Sequence, residues 1–398
     1  MTHKFWSSWF IGLCVFNALS QAIYNGMKVL FSYRVIELGG GAGLIGVTLA
    51  AYSFLPLCLA VYIGRRVDRG FVVSTVVWGT VLSSVPVAIA AGVNSLVWVI
   101  IASMFLGLGQ LATTVASQAL IARYFPTVSL NSAFGWLTLM VSIGQAVGIP
   151  IAGFIAAAGS SHPSPGVAMW VLAGVSALLF PLLRTMVSVR GSGHVSRSAA
   201  KKTAVGSLTI LRQPGMKPAI IASMATLAAV DILHAYMPYM GHRYGLSVEL
   251  VTVLLTTRTL ASIASRVLIG CLTARYKTTV LLYTASFVGG VCMAAMTVFS
   301  DFGVLLVAMV IAGCAFGLTQ PLTMTWVTTL ADRHNRAAVL GVRLAGNRLS
   351  QVIVPVVSGF GAAVVTDTLV FGITAGFLFA SSAITYYSIR KASPEELA

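Results

Sequence analysis

Apolar residues fill long stretches of this chain, and polar residues gather in the short segments between them. Each stretch has about the 20 residues that a helix needs to cross a hydrocarbon core about 30 Å thick. Because a helix satisfies its own backbone hydrogen bonds, an all-α bundle is the expected fold in lipid. The pattern predicts twelve transmembrane helices, at roughly residues 5–27, 42–63, 71–92, 96–121, 131–158, 167–187, 219–240, 247–270, 279–299, 303–328, 338–364 and 369–389.

Composition and the lack of catalytic motifs limit the classes of protein to which this chain could belong. Hydrophobic residues make up 58% of the chain and charged residues 9%, whereas soluble proteins have about 25% charged residues. The predicted loops are too short for a catalytic or signalling domain, and we find no motif for a metal, a phosphate or a nucleophile. The five cysteines fall inside spans without ligand spacing. We therefore expect neither an enzyme nor a protein with a cofactor or bound metal.

The basic residues predict the orientation in the membrane. If the N-terminus is cytoplasmic, alternation of the spans leaves only Arg34 and Arg243 of the 25 Lys and Arg outside. Five lie within spans, and all the others are cytoplasmic. This positive-inside bias predicts that both termini lie on the cytoplasmic side of the membrane, which we expect to be the cell inner membrane. The net charge of +16 then reflects topology and anionic lipid headgroups, and no nucleic-acid partner is expected.

The chain contains an internal repeat. A loop rich in Ser, Gly, Lys and Arg separates two sets of six spans, and such boundaries are where duplications are sought. The expected domains are a six-helix bundle at 1–190, a cytoplasmic linker at 191–217 and a second bundle at 218–398. A shift of 206 residues superimposes Gly64 on Gly270, Arg69 on Arg275, Gly107 on Gly313, Gly135 on Gly341, Gln145 on Gln351 and Gly153 on Gly359.

The loop after the second span reads Gly64-Arg65-Arg66-Val67-Asp68-Arg69-Gly70. With the two six-helix halves and the basic central loop, it resembles the major facilitator superfamily. The resemblance implies two pseudo-symmetric halves and a cytoplasmic latch in the outward-facing state. The latch would use Gly64, Asp68, Arg69 and, in the second half, Arg275. We expect Gly64 to let neighbouring helices approach closely. Its expected partners are charges at neighbouring helix ends, with Arg123 and Arg336 as candidates.

The fifth span carries a glycine-rich segment, Gly144–Gly153, with a proline at position 150. It resembles the signature of bacterial proton-coupled exporters in this superfamily, although Ile149 separates Gly148 from Pro150 and Phe154 replaces the last glycine. The resemblance implies export by proton antiport. The alternative is a generic face of small residues that lets helices approach closely and kink.

Polar residues recur at helical spacing inside four spans. Shared faces of this kind indicate a wet central cavity, although helix–helix hydrogen bonds are the alternative for each face. The faces belong to the first, fourth, eighth and eleventh spans, which line the cavity in the resembled fold. The predicted substrate-binding residues are Asn17, Gln21, Asn25, Lys28, Gln110, Arg258, Asn347, Arg348 and Gln351.

One acidic residue, Asp231, lies deep inside a span. The 206-residue shift pairs it with Asn25 and pairs His234 with Lys28. A lone carboxylate among intramembrane cations is either a structural ion pair or a protonation site. We expect Asp231, assisted by His234, to couple protons to transport; a solvated or packing histidine is the alternative for His234.

These patterns predict a secondary transporter that moves a small organic solute by alternating access. Because intramembrane cations outnumber anions, a substrate with an anionic group is favoured, and arginines would bind it bidentately. Proton-coupled efflux is the first choice, and uptake of an organic anion such as a carboxylate by proton symport is the alternative. The expected partners are the substrate, protons and the lipid bilayer, and the resemblance implies a monomer.

Overall fold

The computed structural model describes residues 7–124, 127–158, 164–187, 215–330 and 336–391. In these residues all regular secondary structure is helical. The chain forms two compact units: unit 1 comprises Met1–Gly40 and Ala51–Ala200, and unit 2 comprises Gly41–Ala50 and Lys201–Ala398. The predicted domain bounds remain predictions, because most of the 191–217 linker lies outside the described residues.

Unit 1 is built around α1, which packs most extensively on α5 and also contacts α4, α6 and α7. A turn at Leu178 separates the last two helices. The helices of this half are α1 (Ser8–Glu37), α2 (Ala42–Asp68), α3 (Val72–Gly92), α4 (Leu96–Tyr124), α5 (Thr127–Ala157), α6 (Pro165–Ala177) and α7 (Leu179–Val187).

Unit 2 repeats this plan around α8, which packs on α12, α13 and α14. The helices of this half are α8 (Met216–Arg243), α9 (Val248–Val267), α10 (Ile269–Arg275), α11 (Thr278–Val298), α12 (Phe302–Leu330), α13 (Arg336–Val364) and α14 (Leu369–Lys391). The first turns of α2 also belong to this unit. There Gly46 lies against Gly359 of α13, and the Tyr236 hydroxyl donates to Ala42 O at 2.9 Å.

The helix bounds confirm the internal repeat. Adding 206 residues to the bounds of α3 gives those of α11, and doing the same for α4 gives those of α12. The glycines that follow α1 and α8, Gly39 and Gly245, stand at the same offset. Both have positive φ, near 77° and 70°, and both close their helix with the paired 6→1 and 5→2 backbone hydrogen bonds of a Schellman motif.

Ten segments of the described chain are long and apolar enough to cross a membrane, and α6 and α7 together form one of them, Pro165–Arg184. The two long helices outside that set are α1 and α13, at the first and eleventh predicted spans. Each has the length, with 30 and 29 residues, and each carries one of the polar stripes. Buried amides and cations in these stripes therefore make the two helices less apolar than the other spans. The α1 helix also extends past the predicted 5–27 span, to Glu37.

Small residues bring α1 and α5 into backbone contact. A Cβ atom placed on Gly144 would overlap the backbone of Ala18, and one on Gly148 would overlap that of Ala22. A Cβ on Gly26 would come within 2.9 Å of Gly148 O. The glycines of the fifth span thus permit the close helix approach expected of small residues in membrane bundles.

We predict that Gly148→Ala destabilises the protein by about 1–3 kcal/mol, because overpacking forces the helices apart. The measurement is the thermal midpoint of the purified protein in detergent. The matched control is Gly174→Ala on α6, where an added Cβ meets nothing within 4 Å. That change should be neutral or stabilising by about 0.5–1 kcal/mol, since alanine favours a helix. Equal midpoints for the two variants would contradict the packing account.

Candidate functional site

The predicted polar faces of α1 and α4 meet inside unit 1. Asn17 and Gln110 are buried, at 4% and 6% exposure. The Asn17 amide donates to the Ser117 hydroxyl at 3.0 Å, and the Ser20 hydroxyl donates to Gln110 Oε1 at 3.2 Å. In this half, hydrogen bonding between helices accounts for part of the stripe.

Further along α1, aromatic rings surround a buried cation. The Lys28 ammonium lies 4.7 Å from the centroid of the Tyr24 ring and 5.7 Å from that of Tyr52. The two rings pack edge to face, 5.4 Å apart. One turn away, the Asn25 amide donates to Gln21 O and Oε1 at 2.9 and 3.3 Å. The negative faces of the rings stabilise the ammonium electrostatically. Polar spacing alone did not indicate either tyrosine.

In unit 2 the Asp231 carboxylate is part of a hydrogen-bonded chain from α8 to α13. Gln351 Nε2 donates to Asp231 Oδ2 at 2.5 Å. Gln351 Oε1 in turn accepts from Arg348 Nη1 at 3.2 Å. The side chain of Asp231 is buried and that of Arg348 is partly exposed. The Gln351 amide therefore links Asp231 to Arg348.

The second buried pair joins α8 to α9. Arg258 Nη2 lies 2.8 Å from His234 Nε2. Because a guanidinium has only donors, His234 must accept at Nε2 and carry its proton on Nδ1. Arg258 also donates to Thr259 Oγ1 at 3.0 Å, and its Nε has no hydrogen-bond partner among the described residues.

This geometry gives His234 a definite role in the state described. An imidazole that accepts from Arg258 is neutral, and protonation of Nε2 would break the bond and set two cations against each other. His234 is therefore suited to holding the guanidinium in place. Its predicted share in proton coupling is not supported by this contact and remains an untested prediction.

A third group of polar contacts links α8, α12 and α13 about two turns from Asp231. The Ser223 hydroxyl donates to Asn347 Oδ1 at 2.8 Å. Arg343, which is 4% exposed, donates to the Gln320 side chain at 2.5 Å and to Thr323 Oγ1 at 3.1 Å. Arg343 also donates to Gln320 O at 3.2 Å. These acceptors satisfy Arg343, so its role is to connect two helices.

We predict that Arg343→Gln lowers thermal stability and leaves ligand affinity of the folded protein unchanged. Loss of one hydrogen bond to a charged group costs about 1.5–3 kcal/mol. The thermal midpoint measures the first effect, and a binding isotherm on the folded protein measures the second. Arg184→Gln, at an exposed position of α7, is the control and should leave the midpoint unchanged. Weakened binding with an unchanged midpoint would place Arg343 in the ligand site instead.

The internal repeat places the two buried cation sites at equivalent positions. A Cβ on Gly107 would overlap Tyr52 O, and a Cβ on Gly313 would overlap Arg258 O. Tyr52 and Arg258 are themselves 206 residues apart, as are Lys28 and His234. Each unit thus uses one close helix contact to position one polar pair, Lys28 with Tyr52 or His234 with Arg258. Tyr52 could have been identified from the sequence, because it stands 206 residues before Arg258, a predicted substrate-binding residue.

The predicted latch residues lie at the ends of α2 and α10. Arg69 and Arg275 are exposed, and the side chain of Asp68 lies outside the described part of the structure, as do those of Arg123 and Arg336. A Cβ on Gly64 meets no atom within 4 Å. The expected close helix approach at Gly64 is therefore wrong for this state. Gly70, with φ near 96°, instead ends α2 through a Schellman turn.

Buried amides, a carboxylate and guanidinium groups inside a bundle of membrane-spanning helices are typical of proteins that move polar solutes through a bilayer. Among the described residues, no group of three or more His, Cys, Asp or Glu could hold a metal ion. Fold and site together define a multi-pass membrane protein of the transporter class.

The chain belongs to the Major Facilitator Superfamily, whose model matches residues 10–247 and again 219–398. Membership makes it a membrane-embedded transporter of a small molecule rather than an enzyme. No curated protein sequence matches it.

Solved structures share its fold. A bacterial homologue of the human lysosomal transporter Spinster, inward-facing and occupied, matches with a TM-score of 0.77 at 14% identity, covering 98% of this chain and 97% of that one. The nucleoside transporter NupG matches with 0.78 at 15% identity, covering 97% and 100%. A D-xylose–proton symporter matches with 0.73 at 11% identity, covering 98% and 99%.

Proposed function

We propose that this transporter exports a small organic anion in exchange for protons. The observation that carries the proposal is the arrangement in unit 2. A buried guanidinium, Arg258, is held by a neutral His234, and on the same helix as His234 the Asp231 carboxylate is linked through Gln351 to Arg348. Anion-binding and proton-accepting groups thus occur together.

Charge supports an anionic substrate. Placing a charge at a helix centre costs about 2.5–3.5 kcal/mol on insertion scales. A buried guanidinium therefore needs acceptor groups that stabilise its charge. Arg258 is 4% exposed, and its Nε has no hydrogen-bond partner among the described residues. A carboxylate or phosphonate group fits a guanidinium bidentately. Arg348, partly exposed, supplies a second cation.

Asp231 is proposed as the coupling residue. It is buried, and it accepts a hydrogen bond from Gln351 Nε2. The Oε1 atom of the same amide accepts from Arg348. Protonation would remove the charge that this arrangement stabilises. The equilibrium between transport states would then shift by the difference in interaction energy between the two protonation states.

The choice of export rests on the resemblance of the fifth-span segment to the exporter signature. The close contacts of Gly144 and Gly148 with α1 agree with that resemblance and equally with a generic packing face of small residues. Uptake by proton symport is retained as the other candidate, because the same coupling site serves either direction. One of the structures that share the fold is a proton symporter.

The ligand class can be tested by a thermal-shift screen of the purified protein. Organic anions should raise the melting temperature, with a gain of about 2.7 kcal/mol at 100 times the dissociation constant. Organic cations and neutral amphiphiles serve as the comparison sets. Stabilisation by cations alone would contradict the anion proposal.

The predicted latch remains part of the proposal. We also propose an inner-membrane location with both termini on the cytoplasmic side. We expect Asp68→Asn to populate the inward-open state and slow turnover, because Gly64, Asp68, Arg69 and Arg275 are proposed to close the cytoplasmic side. Spin labels on the cytoplasmic ends of α2 and α10 measure the distance distribution. Arg65→Gln, a charge change in the same loop, is the control. Unchanged distances and rates in Asp68→Asn would leave the loop as an ordinary solvated turn.

A further inference from the structure

An aromatic groove lies on unit 2, away from the polar cluster. It has a volume of about 490 Å³ and is formed by α11 and α14, within the range of about 300–1,000 Å³ typical of small-ligand sites. Its lining is mostly aromatic, with Tyr283 and Phe287 from α11 and Phe379, Tyr386 and Tyr387 from α14. Tyr387 is 63% and Phe287 53% exposed.

The rings form one continuous apolar surface. Tyr283 packs edge to face on Tyr386 with 5.6 Å between centroids, and Phe287 packs on Phe379 at 5.5 Å. Successive contacts move up α11 as they move down α14, so the two helices are antiparallel. The start of α11 therefore lies at the same end of the groove as the close of α14.

That end of the groove is positively charged. The Arg390 guanidinium lies over the Tyr386 ring, 4.9 Å from its centroid. Lys277, immediately before α11, and Arg275 belong to the same end, and the two residues are exposed. Tyrosines at the level where basic residues begin are typical of the boundary between hydrocarbon and headgroups.

The internal repeat suggests that the fold itself does not require these rings. The buried positions of α6, including Met169, Leu172 and Ser176, recur 206 residues later as buried positions of α14. At the same offset the groove residues Tyr283, Phe379 and Tyr387 correspond to Val77, Ala173 and Pro181. Arg390 corresponds to Arg184. At the positions equivalent to the five groove rings, unit 1 therefore has only one aromatic residue, Phe180 at the position of Tyr386, and it keeps the arginine.

We propose that this groove binds one anionic phospholipid of the surrounding bilayer. An acyl chain would lie along the rings of Phe287 and Phe379, and the phosphate would be bound by Arg390 with Lys277 nearby. A groove that is apolar along its length and cationic at one end matches an amphipathic anion with that polarity. Basic sites between membrane helices recognise anionic headgroups in this way. With the predicted topology, the site faces the cytoplasmic leaflet, and it does not depend on the transported substrate.

Native mass spectrometry of the detergent-purified protein tests the proposal. Micelles are supplied with equal amounts of phosphatidylglycerol and phosphatidylcholine of the same acyl chains. The wild type should retain one phosphatidylglycerol with at least a tenfold preference. Arg390→Gln should abolish the preference, and the double change Tyr283→Val with Phe379→Ala, taken from the equivalent positions, should reduce retention of both lipids.

Arg184→Gln is the matched control, because it removes the equivalent exposed arginine of the half that has only one aromatic residue at the five equivalent positions. It should keep the wild-type preference. If Arg184→Gln and Arg390→Gln lose the preference equally, the arginines are general membrane anchors and the proposed site is wrong. Loss of dimer mass only in the groove variants would assign the groove to a second copy of the chain and also overturn the proposal. Unchanged elution in gel filtration shows that each variant is folded.

Discussion

Asp231→Asn is expected to reduce transport driven by a pH gradient to background while substrate exchange remains measurable. The asparagine side chain has nearly the same shape, and its Oδ1 can still accept from Gln351. It cannot bind and release a proton. The variant therefore separates proton coupling from the architecture of the site, which truncation to alanine would not do. Reconstituted vesicles measure both modes on the same preparation.

The matched control is Glu249→Gln, a carboxylate-to-amide change in the first turn of α9. The side chain of Glu249 is exposed, so this variant should transport like the wild type. Gradient-driven transport by a well-folded Asp231→Asn variant at the wild-type rate would contradict the coupling role. Loss of both exchange and gradient-driven transport would instead indicate a structural carboxylate.

Arg258→Gln and Arg348→Gln are expected to weaken binding of the anionic substrate by roughly ten- to a hundredfold. The estimate takes about 1.5–3 kcal/mol for a hydrogen bond to a charged group, and about 1.4 kcal/mol corresponds to a factor of ten. Arg258 should have the larger effect, because its side chain is the more deeply buried. Titration of the purified protein with substrate gives the dissociation constants.

Arg243→Gln provides the control for general charge effects. Arg243 is an exposed cation of the same unit that pairs with Asp367 at 3.0 Å, and its replacement should leave affinity within about twofold of the wild type, because surface pairs contribute little. If Arg258→Gln and Arg348→Gln bind the transported substrate normally, the arginines have a structural role and the anion proposal fails.

Hydrophobic periodicity predicted most of this fold because each helix must match the bilayer on its own. The bounds of α3 and α11 and of α4 and α12 also follow from one sequence offset. The same offset relates the capping glycines Gly39 and Gly245. Both adopt the left-handed backbone conformation that closes the helix, which glycine adopts without steric cost. These features depend on local sequence, which is why they were accessible without coordinates.

The partners of the site residues were harder to predict. Periodicity gives the face of a helix on which a side chain lies, but not how neighbouring helices are rotated and shifted. The spacing therefore identified Gln351 and Arg348, and a carboxylate inside a span identified Asp231. The order in which Gln351 joins the other two required the packing of α8 on α13. Gly64 illustrates the converse: a glycine in a family-like loop suggested close packing that the described state lacks.

The central claim is that substrate movement and proton movement are linked through Asp231. The most direct test uses vesicles without an imposed pH gradient and with the membrane potential clamped. An impermeant strong-acid analogue of the best-binding anion is added outside, and external pH is recorded. Export by antiport requires that entering substrate drives protons out, so the medium should acidify with the wild type and not with Asp231→Asn. Alkalinisation would indicate symport, and substrate entry without any proton movement would contradict the account.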